Sequence, residues 1–235
     1  MKEWISFSRR SKARLSGYVV RIVRDIVRRY DVDAIHFDDY FYPYPENNAD
    51  FPDEESFRKW GGSMPRSDWR RQNVDLLIEE VNRAIKEEKT RVQFGVSPFG
   101  IWRPRNPRHV RGLDAYERIY ADSRKWLQRG WVDYLTPQLY WGTTAPQQRF
   151  SELLRCWRRQ NRLPIHLWPG LAAHRVANGR ANAFTSDEIV KQIQLIRTKT
   201  NDPGWILFTA NVLLRDKDGL TDKLEKLNEK DVPVP

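Results

Sequence analysis

Two adjacent carboxylates, Asp38 and Asp39, follow the short apolar run Ala34 to Phe37 and precede Tyr40, Phe41, Tyr42, Pro43, Tyr44 and Pro45. Hydrolysis of a glycosidic bond usually takes two carboxyl groups, one to protonate the leaving oxygen and one to attack or to activate water. The neighbouring rings supply flat apolar faces on which a sugar can stack. The plainer alternative is that the aspartates cap a loop or pair with one of the many arginines. Position bears on the choice. An apolar run of this length after a helical pattern fits a buried strand of a parallel sheet, and Pro43 and Pro45 stop it near Tyr40. Both acids then stand at the carboxyl end of a buried strand, where α/β folds carry their chemistry. Successive strand side chains face opposite ways, so Asp38 shares a face with His36 and Tyr40. Asp39 reaches that face only if the chain has already turned. Asp38 is thus the expected nucleophile or general base and Asp39 the second carboxylate. His36 either orients Asp38 or is a satisfied core histidine.

The flanking periodicities supply the elements that would hold these residues. Val19, Ile22, Val23, Ile26 and Val27 mark an amphipathic helix over Tyr18 to Tyr30 that runs into the acidic strand. The polar stretch from Glu46 to Ser67 is too long for an ordinary connection, and reads as a functional or a disordered loop. Asp68 is the expected N-cap of a helix whose stripe is Val74, Leu77, Ile78, Val81 and Ile85. Further strands are expected over Arg91 to Ser97, Trp131 to Trp141, Pro164 to Trp168 and Trp205 to Ala210. Helices are expected over Ala115 to Gln128, ended by Gly130, over Pro146 to Asn161, Asp187 to Lys199 and Leu220 to Leu227. Five strands alternating with helices, without a hairpin signal, imply a parallel α/β sheet. No glycine-rich nucleotide fingerprint is present, which leaves a β/α barrel or part of one.

Composition narrows the class. The 235 residues suit one domain, taken here as 1–235, and 40% hydrophobic with 31% charged residues excludes a disordered chain. No run reaches the ~20 apolar residues of a membrane span. The formal charge of +10 favours anionic partners, but the cations are dispersed and no recognition motif supports a nucleic-acid partner. Cys156 is the only cysteine, so no disulfide forms within the chain; Leu153, Leu154 and Trp157 around it predict a buried thiol. No cluster has metal-ligand spacing, and no cofactor is expected. Met1 to Ser16 is basic but lacks an apolar core and a cleavage site, which taken literally predicts a cytoplasmic protein.

Four ordered segments carry a resemblance to a known family. They are Tyr30 to Pro43, Trp69-Arg70-Arg71-Gln72-Asn73-Val74, Phe94 to Arg103 and Trp131 to Trp141. Together they resemble glycosyl hydrolase-like family ten, whose bacterial members are (β/α)8-barrel proteins regarded as glycosidases, some linked to cell-wall glycan strands. The resemblance implies a TIM-type barrel of which this chain matches strands four to eight, lacking three preceding βα units. It implies a polysaccharide substrate, with peptidoglycan glycan foremost, and a cell-envelope or secreted setting if an upstream signal exists. An open five-stranded sheet would follow, with self-association through its edges. Besides Asp38 and Asp39, the expected substrate-binding residues are His36, Tyr40, Tyr42, Arg70, Trp102, Arg103, Gln138, Tyr140, Trp141 and Asn211. A glycan-binding remnant without hydrolysis is the alternative function.

Overall fold

The computed structural model describes residues 9–39, 41–47, 49–200 and 203–229. Its elements are α1 (Arg9–Arg29), β1 (Ala34–Phe37), α2 (Glu54–Trp60), α3 (Arg66–Glu88), β2 (Gln93–Val96), α4 (Ala115–Arg118), α5 (Ser123–Arg129), β3 (Tyr134–Leu135), α6 (Phe150–Gln160), β4 (His166–Leu167), β5 (Gly170–Leu171), α7 (Ser186–Lys199), β6 (Ile206–Leu207), α8 (Asn211–Leu214) and α9 (Leu220–Glu229). Every strand pair is parallel. The α/β class expected from the alternation is therefore the observed one. Among the described residues no helix is long and apolar enough to cross a membrane.

Where one continuous five-stranded sheet is expected, a four-stranded sheet in the order β1-β2-β3-β4 and a two-stranded sheet β5-β6 are found. The physical reason is a row of prolines. Gln138 bridges Phe99 on one side and Gly170 on the other, so one residue earlier Pro98, Pro137 and Pro169 stand side by side. None of them has an N–H to donate, and the ladder is interrupted at that level across three neighbouring segments. Above the row it resumes: the Gln138 amide donates to the Pro98 carbonyl at 3.0 Å, Gly170 to Pro137 at 2.9 Å and Ile206 to Pro169 at 3.1 Å.

One face of the sheet packs against the helices. Phe94, Val96 and Leu135 are fully buried there, together with Val27 of α1 and Ile78, Val81 and Ile85 of α3. These are the stripe positions that the helical periodicity marks, with one exception: Ile22 of α1 is exposed. Other expectations are corrected. The single helix from Ala115 to Gln128 is two, α4 and α5, because Tyr120 between them adopts a positive φ of 55° and turns its ring and hydroxyl into a tertiary network. Asp68 lies within the first turn of α3 rather than capping it, since the helix starts earlier, after Pro65. Gly130 ends α5 in the left-handed conformation, as expected. Cys156 is partly exposed rather than buried, because it lies on the flank of α6 that faces a cavity.

The long polar stretch after β1 is an ordered loop that contains α2. Arg70, 2% exposed, holds it. Its Nε donates to Asp53 Oδ2 at 2.8 Å and its Nη2 to Asp53 Oδ1 at 2.5 Å, while Nη1 reaches Asp50 Oδ1 at 2.6 Å and the Tyr120 hydroxyl at 2.5 Å. Nη2 also donates to the Phe51 carbonyl at 2.9 Å. Burial opposes the charge on Arg70, but the bonds to Asp53 and Asp50 outweigh it and raise the pKa. Removing one partner of a buried pair strands the other charge in the interior, at a cost of about 3–5 kcal/mol. Arg70→Ala should accordingly lower the unfolding free energy by roughly that amount, read from urea denaturation. The exposed Arg29, which pairs with Asp25 one helical turn away, should lose under ~0.5 kcal/mol on the same substitution.

Candidate active site

The other face of the sheet carries the candidate chemistry. The register places His36 beside Gly95, Gly95 beside Tyr134, and Tyr134 beside His166. With a period of two, Asp38, Ser97, Thr136 and Gln138, and Trp168 follow on the same side. Contacts among these side chains bear this out. The His36 ring stacks on Tyr134 with centroids 5.6 Å apart, Tyr134 lies 5.2 Å from Trp168, and Trp168 stacks on His166 at 4.8 Å. A Cβ on Gly95 would come within 2.0 Å of the Tyr134 ring, and one on Gly204 within 2.1 Å of Trp168. Both glycines make room for the aromatic row.

Asp38 stands at the end of β1 on this face, exposed to solvent. Its Oδ1 accepts from Gln138 Nε2 at 3.0 Å and from the Asp39 amide at 2.9 Å. Gln138 Nε2 also donates to the Ser97 carbonyl at 3.0 Å, so it bridges the ends of two strands while holding the carboxylate. His36 sits one pleat below. Its Nε2 is 2.7 Å from Ser97 Oγ and its Nδ1 is 3.1 Å from the Tyr134 hydroxyl. Burial of the ring lowers the His36 pKa, against the opposing pull of Asp38. A neutral imidazole has one N–H and one lone pair, so one of these hydroxyls accepts from the ring and the other donates to it. The arrangement fixes the ring without making it a cation.

Asp39 is placed differently. The chain turns after Phe37, with the Phe41 amide donating to the Asp39 carbonyl at 3.0 Å. The Asp39 side chain is 3% exposed and accepts from the Tyr44 hydroxyl. Burial pushes its carboxyl above the usual carboxylate range; the Tyr44 bond opposes this and the charge of Asp38 adds to it. The neighbouring acids thus differ in kind, one open and held by an amide, the other enclosed and held by a phenol.

The structure brings Asp38, His36 and Gln138 together, and most of the other candidates among the described residues have further partners of their own. Tyr40 lies outside the described residues. Tyr42 is buried, edge-on to Phe51 and Tyr120, and burial raises its pKa. Arg70, expected to meet substrate, is enclosed and serves the loop instead, because its guanidinium is taken up by Asp53, Asp50, Tyr120 and Phe51. Trp102 donates its indole N–H to Asp122 at 2.9 Å. Arg103 lies 3.5 Å from Asp114 and 3.6 Å from Glu117, with its guanidinium over Tyr116. Trp141 packs edge-on to Phe99, and Tyr140 lies beside His174 and Phe208. Asn211, expected at a strand end, instead opens α8, since the last strand ends at Leu207. Among the described residues no group of three His, Cys, Asp or Glu side chains could hold a metal ion.

Tyr134, Ser97 and Tyr44 belong to the site beyond the expected set. Tyr134 was signalled by its spacing, four residues before Gln138 on the same strand face. The fit between Gly95 and Tyr134 can be tested directly. Gly95→Ala should cost about 1–3 kcal/mol through overpacking, measured by denaturant unfolding. In a Tyr134→Ala background the same substitution should cost far less, because the ring it meets is gone. Equal costs in both backgrounds would dissociate the glycine from the aromatic row.

The chain is 36% identical over 217 residues to a Bacillus subtilis (strain 168) protein named glycosyl hydrolase YngK, covering 88% of this chain and 42% of that protein. It is 35% identical over 215 residues to glycosyl hydrolase DigH of Escherichia coli (strain K12), covering 85% of this chain and 48% of that one. The chain therefore spans less than half the length of these relatives. A crystal structure of bee venom hyaluronidase in complex with a hyaluronic acid tetramer is similar at 16% identity and a TM-score of 0.41, over 96% of this chain and 64% of that one. Residues 12–186 match the family described as Glycosyl hydrolase-like 10, and the chain belongs to that family.

Proposed function

We propose that this chain carries part of the active site of a glycosidase acting on a bacterial polysaccharide, with peptidoglycan glycan strands as the substrate. The observation that carries the reading is the Asp38 carboxylate, open at the end of β1 and fixed by Gln138 from the neighbouring segment. A solvated carboxylate in a rigid amide grip can serve as nucleophile or as general base toward water. The aromatic row of His36, Tyr134 and Trp168 beside it offers a wall for a sugar ring. The substrate assignment follows from the resemblance to bacterial members linked to cell-wall strands. Asp39, raised by burial, supplies a second carboxyl of the acid type, provided that substrate displaces Tyr44 from it.

Removing the Asp38 charge while keeping its shape tests the assignment. Asp38→Asn should lower the release of reducing ends from purified glycan strands by roughly 10²–10⁴-fold, with an unchanged thermal transition. Unaltered release would take Asp38 out of the mechanism. Asp39 gives a separate, pH-dependent expectation. Its folded pKa lies above the unfolded one, so the native state binds the proton more tightly and stability falls as pH rises through that interval. Asp39→Asn, which carries no charge at any pH, should therefore gain stability relative to the parent as pH rises from about 3.5 to about 7, through the carboxylate range. A difference in melting temperature that does not change with pH would contradict the burial of an ionisable Asp39.

The enclosure of Asp39 favours a second reading, in which glycan binds without being cleaved. Retention of the protein on insoluble glycan with no new reducing ends would support that reading over the first.

A further inference from the structure

A cavity of about 280 Å³ opens between α5, α6 and the loop after β2, and its lining includes none of Asp38, His36, Ser97 and Gln138. Arg124 of α5 and Arg155 and Arg159 of α6 line it, with Trp102 and Cys156. Arg155 and Arg159 are one helical turn apart, and Cys156 follows Arg155 on the same helix. Among the described residues none of the three arginines is paired with a carboxylate, whereas Arg70, Arg71 and Arg103, which also lie over aromatic rings, each have one: Arg70 bonds to Asp53, Arg71 to Asp68, and Arg103 approaches Asp114. The acid in the lining, Glu152, is engaged by His109 and lies 3.9 Å from Arg149.

The setting of Arg124 is informative. Its guanidinium lies 4.9 Å from the centre of the Trp102 ring, and that ring is fixed by its N–H bond to Asp122 and by edge contact with Tyr116. Stacking holds a guanidinium by its flat face and leaves its N–H edge unused. An oxyanion is the group whose geometry matches that edge, and a guanidinium can meet it with two parallel bonds. Three cations without counter-charges around a concave, partly apolar space repel one another, and an anion relieves that repulsion.

We propose that this cavity is a binding site for a small oxyanion-bearing ligand, a phosphate or a sugar carboxylate, held by Arg124, Arg155 and Arg159. The site is separate from the Asp38 site and does not depend on the glycosidase reading. Its ligand lies against Cys156, whose thiol donates to the Asn106 carbonyl at 3.8 Å, both residues lining the cavity.

Cys156 is the only cysteine of the chain and so reports on occupancy without labelling elsewhere. The experiment measures the rate of alkylation by iodoacetamide, a neutral reagent, at fixed ionic strength, with chloride replaced stepwise by inorganic phosphate or by glucuronate. Saturable slowing of severalfold by one of the two is the expected result, and the more protective anion identifies the ligand class. Arg124→Gln and Arg159→Gln should each abolish the protection, read as the ratio of each variant's rate in the anion to its own rate in chloride, because losing a cation beside the thiol lowers the chloride rate itself. Circular dichroism of both variants checks that they fold. An alkylation rate in the parent protein that neither anion changes would overturn the proposal, as would protection that survives both substitutions.

Discussion

The buried pairing of Arg70 with Asp53 is the interaction on which the architecture around the candidate site depends. Two bonds join the guanidinium to Asp53, and its remaining N–H groups reach Asp50, Tyr120 and the Phe51 carbonyl. A single side chain of α3 thereby fixes three points of the loop after β1 and the turn between α4 and α5. Fixing Phe51 and Tyr120 fixes Tyr42, which packs edge-on between them and accepts from Asn73 Nδ2 at 3.3 Å. Tyr44, two residues on, is then in place to hold Asp39. The resulting chain of contacts runs from a helix on the outer layer to the acidic pair at the end of β1. Its strength comes from complete satisfaction of the buried charge, since a half-satisfied guanidinium in the interior would destabilise the loop it now orders.

A second constraint sets the level of the site within the sheet. Pro98, Pro137 and Pro169 interrupt neighbouring segments at one height, and Asp38 lies just below that height beside Ser97. Where the ladder lacks N–H donors, side chains and carbonyls become available to one another. Gln138 uses this: its amide bridges the Ser97 carbonyl and Asp38 Oδ1. The prolines that make the strands short are thus also what places an amide within reach of the carboxylate.

Much of this was legible in the sequence. Apolar periodicity located the long helices α1, α3, α6, α7 and α9 and the cores of β1 to β4 and β6, but not the short α2, α8 and β5, and strand alternation put His36 and Asp38 on one face. The Trp69-Arg70-Arg71-Gln72-Asn73 segment was visible as a motif, but its work was not. Trp69 packs against Phe57, Arg71 joins Asp68 and Glu117, and Asn73 supports Tyr42, so the motif organises a loop. Nothing local distinguishes an arginine that meets substrate from one that meets Asp53, because the partner lies 17 residues away in sequence. The same holds for Tyr120, whose positive φ follows from tertiary contacts that override a continuous helical pattern. Single prolines were read correctly as strand breakers; their alignment into a row required the register.

The different fates of Asp38 and Asp39 follow from the turn that ends β1. The chain leaves the strand after Phe37, and at the turn Asp38 stays exposed while Asp39 is enclosed. Asp38 emerges beside His36 and is met by a neutral amide, which orients it without cancelling its charge. Asp39 goes inward, where water is scarce and the neutral form is favoured, and a phenol rather than a guanidinium receives it. An arginine at the position of Tyr44 would fix Asp39 as a permanent anion. A phenol leaves it able to take up a proton. The two carboxyl groups are thereby pushed toward opposite protonation preferences although they are neighbours in the chain, which is the condition that separates an acid from a base in one site.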